Sequence, residues 1–199
     1  MSEELLAGAG APAEVLDRLR RRLATRAHEE GLLDVAYRTL DSPVGPLLVA
    51  ATPQGVVRVA FAVQDHAAVL EELSATVSPR VLEAPGRLDD AARELDEYFA
   101  GRRRAFDLPL DLRLTRGFRR EVVEHLTSVR YGTTATYAQV AVLTGRPGAV
   151  RAVGTACARN PLPLVLPCHR VVRSDGTPGR YAGGDAAKEQ LLRLEGARA

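Results

Sequence analysis

Asn160-Pro161-Leu162-Pro163-Leu164-Val165-Leu166-Pro167-Cys168-His169-Arg170-Val171-Val172 sets a cysteine directly beside a histidine, behind an apolar run punctuated by prolines. A thiol is a strong nucleophile only as the thiolate, which needs a base or a positive field close by. Spacing alone leaves two readings of Cys168 open: an activated nucleophile, or a buried structural thiol, the commoner place for a free cysteine. Proline before it and His-Arg after it do not suit a core strand. The chain has one other cysteine, Cys157. That excludes a disulfide framework and makes a reducing cytoplasm the expected location. Cys157 lies on a helical face with nothing basic to activate it, and is expected in the core.

Upstream of this segment the pattern is helical. Phe118, Val122, Val123 and Leu126 recur at helical spacing until Tyr131-Gly132 breaks the run. Thr136 is placed to cap a helix reaching about Leu143, Gly145-Arg146-Pro147-Gly148 reads as a turn, and Ala149 to Arg159 reads as a second helix. Helix, tight turn, helix is the layout of a helix-turn-helix, although many helical pairs share it. Downstream, Gly179-Arg180-Tyr181-Ala182-Gly183-Gly184 is a glycine-rich loop.

The first half reads differently. Residues 12–30 form an amphipathic pattern with Val15, Leu16, Leu19 and Leu23 on one side, Pro12 at an early helical position and Gly31 at the C-cap. Its Arg18, Arg20, Arg21 and Arg22 read as a solvated face. Three strands are expected at Val35 to Leu40, Leu47 to Ala51 and Val56 to Ala62, joined by short turns and therefore antiparallel. Helices are expected over 65–74 and 88–100, the latter ended by Gly101. Phe106 to Leu112 is expected to be extended.

Net charge is +2 over 199 residues, but the charge is unevenly divided. Residues 1–113 carry 14 basic and 19 acidic side chains, and residues 114–199 carry 13 basic and 6 acidic. The C-terminal half therefore suits a polyanion; a solvated basic face is the alternative. No apolar run approaches membrane-spanning length, and Met1 to Leu6 lacks the basic start of a secretory signal. There is no glycine-rich dinucleotide loop and no nucleotide-binding lysine motif. His28, His66, His125 and His169 are scattered, so neither cofactor nor metal is expected.

The segment 160–172 closely resembles the active-site segment of the O6-alkylguanine-DNA alkyltransferases, also called methylated-DNA–protein-cysteine methyltransferases. The resemblance runs on through Tyr181-Ala182-Gly183-Gly184, Lys188-Glu189 and Leu194-Glu195-Gly196. Upstream it includes Tyr131-Gly132, Thr136 to Ala141 and Ala149 to Gly154. The first half matches loosely, at Tyr37 to Gly45 and Glu97 to Gly101. The resemblance implies an α+β fold: an N-terminal three-stranded antiparallel sheet with helices, in an RNase H-like roll, then a mostly helical winged-helix-like domain. The expected divisions are an extension at 1–32, an α/β domain at 33–112 and a DNA-binding alkyltransferase domain at 113–199.

A base alkylated on O6 cannot be attacked inside the duplex and must be rotated out of the stack. The resemblance implies that Ala149, Arg151, Ala152 and Gly154 lie in the minor groove of double-stranded DNA without sequence specificity. Arg151 then fills the vacated stack, and Tyr137 crowds the phosphate and bonds the flipped base. Cys168 accepts the alkyl group, once and irreversibly, from O6-alkylguanine and from O4-alkylthymine. His169 is implied as the base acting through a water, Glu195 as its orienter and Asn160 as a hinge. Pro163, Val171, Tyr181, Ala182 and Gly183 are implied to line the pocket, with backbone carbonyls near Cys168 and Val171 accepting from the guanine amino group. Arg170 is implied to anchor the loop. The implied protein is a monomer without membrane association.

Val123 stands where relatives usually carry tryptophan, Arg130 where proline is common, and Ala182 where some have serine; the first two are expected to be packing changes. Three other readings compete. A non-catalytic lesion sensor of the alkyltransferase-like type replaces the cysteine, which is present here. A transcription regulator would rest on the helix-turn-helix alone, and a cysteine hydrolase has no oxyanion-hole motif in its support.

Overall fold

The computed structural model describes residues 13–197. Pro12 and the Met1 to Leu6 segment lie outside the described residues. Helix α1 spans Ala13–Glu29, followed by Gly31 at φ 67. It packs through Ala24 and Ala27 onto Leu33, Ala36 and Ala84, while Leu16, Leu19 and Leu23 stay exposed. The small side chains, rather than the leucine stripe, make the tertiary contact.

Strands β1 (Val35–Leu40), β2 (Leu47–Thr52) and β3 (Gly55–Phe61) form the antiparallel meander that the short turns dictate. Gly55, at φ 144, leaves no room for a side chain because the Pro109 carbonyl lies against it. The meander is not the whole sheet. A short β4 (Val81–Glu83) pairs in parallel with β1, so the expected three strands are four, in the order β3-β2-β1-β4. Three partly exposed residues carry no alternation long enough to read. The crossover into β4 is made by α2 (His66–Thr76). Strand β2 is buried on both faces, which is why it reads as a continuous apolar run. Leu48 and Ala50 face Val69 and Leu73 of α2, and Leu47 and Val49 face the main core.

Helix α3 (Asp89–Phe99) buries Leu95 and Tyr98 in that main core and ends at Gly101, φ 71. Phe106 to Leu112 forms no full strand; Leu110 makes a single parallel bridge to Val56, with Pro109 accepting from Val56 and Asp111 donating to it. In the second half α4 (Gly117–His125) packs on α6 (Val150–Ala158), and α6 packs on α5 (Tyr137–Leu143). Thr136 caps α5 in a reciprocal box with Gln139. A two-residue strand β5 (Ala135–Thr136) pairs in parallel with β6 (Val171–Val172), fastening the segment after Cys168 to the start of α5. Helix α7 (Gly184–Leu194) is the last helix among the described residues. The halves share one core: Phe61, Leu95 and Tyr98 cluster with Leu162, Leu164, Leu166 and Tyr181, and Pro161 accepts from the Val59 amide at 2.8 Å.

Candidate active site

The segment from α6 to β6 is wholly buried from Asn160 to Val172. With three prolines it cannot supply a full ladder of backbone donors, and a side chain does so instead. Asn160 Oδ1 accepts from the Leu162 amide at 3.0 Å, and its Nδ2 donates to the Leu166 carbonyl at 2.7 Å and to Cys168 Sγ at 3.2 Å. This clamp holds a tight bend in which Leu164 takes φ 73, a conformation that costs a non-glycine residue on the order of 1 kcal/mol or more. Cys168 then opens a single 3-10 turn, Cys168–Arg170, that turns the next two side chains inward.

His169 and Glu195 meet there. His169 Nε2 lies 2.8 Å from Glu195 Oε1, with both side chains fully buried. Arg170 grips the same carboxylate from the other side, Nε to Oε2 at 2.8 Å and a terminal nitrogen to Oε1 at 3.0 Å, and donates to the Val129 carbonyl. Tyr98 donates to Glu195 Oε1 at 2.7 Å. Burial pushes the Glu195 carboxyl up, but bonds from His169 and Arg170 outweigh it and hold its pKa at about 2. The carboxylate is therefore ionised and must accept from Nε2, which leaves Nδ1 as the imidazole's free lone pair. Nδ1 is buried, with no hydrogen-bond partner among the described residues. Burial also lowers the His169 pKa below its ordinary value, against the pull of Glu195, so the ring is neutral and able to take a proton.

Cys168 is 2% exposed. Burial pushes its thiol up to about 11, opposed by Asn160 and by the charge of Lys188. At rest Cys168 is thus a protonated thiol and His169, the next residue, a neutral base. Cys157 is also buried, as expected, and burial raises its thiol further. Lys188 is fully buried and donates to the Val171 carbonyl at 2.5 Å. That carbonyl is one expected to receive substrate; it keeps a second lone pair for doing so.

Tyr137 begins α5 and lays its hydroxyl against Gly179, so closely that any side chain at 179 would collide with it. Burial lifts its pKa to about 12, so it stands as a neutral donor. Tyr181 is buried, edge-on to Phe61 at 5.3 Å. Pro163 is buried and Ala182 half-buried. A Cβ at Gly183 would sit 2.7 Å from the Phe61 ring. The space a side chain at 183 would need is therefore filled by Phe61, from the first half of the chain. On α6, Arg151 and Ala152 are exposed, and Ala149 and Gly154 half-exposed, on one outward strip, while Val153, Ala156 and Cys157 face inward.

The site thus brings Cys168, His169, Glu195 and Asn160 together, with Tyr137 and the 179–183 loop beside them, and leaves Arg151 on the surface. Three groups had no place in the sequence reading of the chemistry. Tyr98 meets Glu195 from 97 positions away, and Lys188 and the Arg170–Glu195 pair rest on folding that no local spacing reveals. Val123 is fully buried, consistent with a packing change. Arg130 is exposed.

Residues 35–112 match the family model for the 6-O-methylguanine DNA methyltransferase ribonuclease-like domain, and residues 117–197 match that family's DNA binding domain. The methylated-DNA–protein-cysteine methyltransferase of Mycobacterium tuberculosis is 38% identical over 165 residues, 83% of this chain and 94% of the relative. That of Methanosarcina barkeri is 38% identical over 80% of this chain and 96% of its own. Among solved structures, Mycobacterium tuberculosis OGT in complex with DNA superposes with a TM-score of 0.69 at 37% identity, covering 80% of this chain and 92% of that one. With both halves matched, the chain belongs to the methylated-DNA–protein-cysteine methyltransferase family.

Proposed function

We propose that this chain repairs DNA by direct reversal, moving the alkyl group of O6-alkylguanine, and of O4-alkylthymine, onto Cys168. The observation that carries this reading is the tautomer forced on His169, the residue that follows Cys168: an ionised Glu195 takes Nε2–H, and Nδ1 is left as a buried base with no hydrogen-bond partner among the described residues. Cys168 Sγ attacks the alkyl carbon in line; the S–C bond forms and the C–O6 bond breaks. The thiol proton passes to His169 Nδ1 through a water, and one proton is delivered in turn to the departing guanine, by exchange through water, which returns His169 to its neutral form. Nothing in the site reverses a thioether, so each molecule acts once. Asn160 holds the sulfur in place, and Arg170 and Tyr98 keep Glu195 charged and still.

Tyr137, a neutral donor, supplies a proton-bearing hydroxyl to the flipped base. Val171, Tyr181, Ala182 and Gly183 surround that base with Pro163 as the facing wall; the Ala182 amide meets O6. Entry requires Tyr137 and Gly179 to part, since Cys168 is covered at rest. The exposed strip of α6 meets double-stranded DNA in the minor groove with no sequence preference, Ala149, Ala152 and Gly154 allowing close approach and Arg151 filling the gap left by the base. The chain is divided at 1–32, 33–112 and 113–199, a reading supported by family matches that begin at 35 and 117. No described helix is long and apolar enough to cross a membrane. A cytoplasmic location follows from the need to keep Cys168 reduced. The lesion-sensor alternative would leave Cys168, His169 and Glu195 without a task. The test is transfer to wild-type protein against Cys168→Ala, which must accept nothing while still binding DNA.

A further inference from the structure

A cavity of about 430 Å³ is floored by Leu164, Val165 and Pro167 of the cysteine segment and rimmed by Arg104, Arg130 and Tyr131. It contains no carboxylate. Two nearby arginines are spent on acids: Arg103 on Glu94, Glu97 and Asp107, and Arg170 on Glu195. Arg104 and Arg130 are exposed and make no ion pair among the described residues. Arg104 is not loose: its guanidinium stands 5.6 Å from the Tyr131 ring centre, and Tyr131 is itself anchored to the Leu194 carbonyl at 3.3 Å. A mouth with two unpaired guanidinium forks over an apolar floor calls for a ligand with an anionic end and a flat or apolar body.

We propose that this cavity binds a nucleotide, its phosphate on Arg104 and Arg130 and its base on the Leu164–Pro167 floor. One dianionic phosphate satisfies both forks with charge-assisted bonds, and guanidinium planes accept stacked bases. An acidic peptide would need two separate carboxylates to do the same and would leave the floor unfilled. The volume lies within the roughly 300–1,000 Å³ of small-molecule sites. The nucleotide is either free or one unit of a single strand; the phosphate chemistry is shared.

The experiment is calorimetric titration of the full chain with thymidine monophosphate, thymidine and a thymidylate tetramer at low salt. Thymidine, lacking the phosphate, should bind at least tenfold more weakly than the monophosphate. Arg104→Ala/Arg130→Ala should weaken the monophosphate at least tenfold while its rate of alkyl acceptance from O6-methylguanine duplex stays within twofold. A tetramer that binds tighter than the monophosphate marks a strand site, and equal affinities mark a free-nucleotide site. Should the double variant fail to accept alkyl groups, Arg130→Gln alone, at an exposed position, must still lose at least threefold. Undiminished monophosphate binding in these variants, no binding at millimolar concentration, or displacement by a tighter-binding Glu-Leu-Glu peptide would overturn the proposal.

Discussion

Asn160 spends its whole amide on the cysteine segment, two donors and one acceptor on three partners, none of which water can reach. Asn160→Ala leaves the Leu162 amide and Leu166 carbonyl buried and unpaired, at a cost of about 2–4 kcal/mol. Asn160→Asp keeps the acceptor but sets a carboxyl against the sulfur, so the thiol should become harder to ionise. Both variants should transfer alkyl groups at least tenfold more slowly, and Asn160→Asp should show the larger rise in the pH needed for thiol alkylation by iodoacetamide. Identical thiol titration in wild type and Asn160→Asp would remove Asn160 from the chemistry. Glu195 ionises at about 2 when folded against its ordinary 4.5. Its pairing is fully present above pH 4.5 and is lost as pH falls from 4.5 towards 2. His169, whose pKa is lowered by burial from 6.5, adds stability above pH 6.5 that fades as pH falls below it. Thermal midpoints should therefore drop on acidification from pH 6.5. Glu195→Gln should flatten the drop below pH 4.5, and an unchanged acid slope in that variant would contradict the assignment. The Cys-His pair was legible from its spacing as a candidate nucleophile and base, with a structural thiol left open. Its link to Glu195, 26 positions on, came from family resemblance alone, because nothing local in a C-terminal helix distinguishes a buried carboxylate from a solvated one.

Elements decide which of these groups can be reached. Helix α6 shows why a helix can be read in advance and its task only partly. Inward Val153, Ala156 and Cys157 alternate at helical spacing with an outward strip that includes Arg151. That periodicity is visible in the sequence, as are the Thr136–Gln139 box that starts α5 and the short turns of the meander. Strand β4 was not legible, since three half-exposed residues gain their strand character from pairing with β1 rather than from their own pattern. Nor was the contact of Tyr137 with Gly179, which depends on two segments meeting. Because the strip carries no reacting group, Arg151→Ala should slow repair of duplex DNA at least tenfold and leave reaction with free O6-benzylguanine within twofold. Equal losses on both substrates would point to a damaged pocket. Gly179→Ala forces the end of the Tyr137 side chain aside while leaving the backbone fold in place. It should lower transfer with little change in melting temperature, and a full-rate Gly179→Ala would show that Tyr137 need not sit where it does.

At the scale of the molecule, the two halves are not separable supports. Phe61 and Tyr98 come from the first half, yet one fills the space at Gly183 and the other holds Glu195. The sequence showed two halves of opposite charge but not this shared core, because contacts between them join residues tens of positions apart. Helix α1 is different. It touches the body chiefly through Ala24 and Ala27, a burial worth about 1–2 kcal/mol. Deleting residues 1–32 should lower the melting temperature by about 2–6 °C and leave alkyl acceptance unchanged; a folded truncation that accepts nothing would refute this. The central claim is that one buried thiol, and not the other, takes one alkyl group once. Intact-protein and peptide mass spectrometry after incubation with excess O6-methylguanine duplex tests it directly. A single methyl on Cys168, none on Cys157, and no repair beyond one lesion per molecule are expected. Methylation of Cys157, a second turnover, or transfer to Cys168→Ala would contradict it.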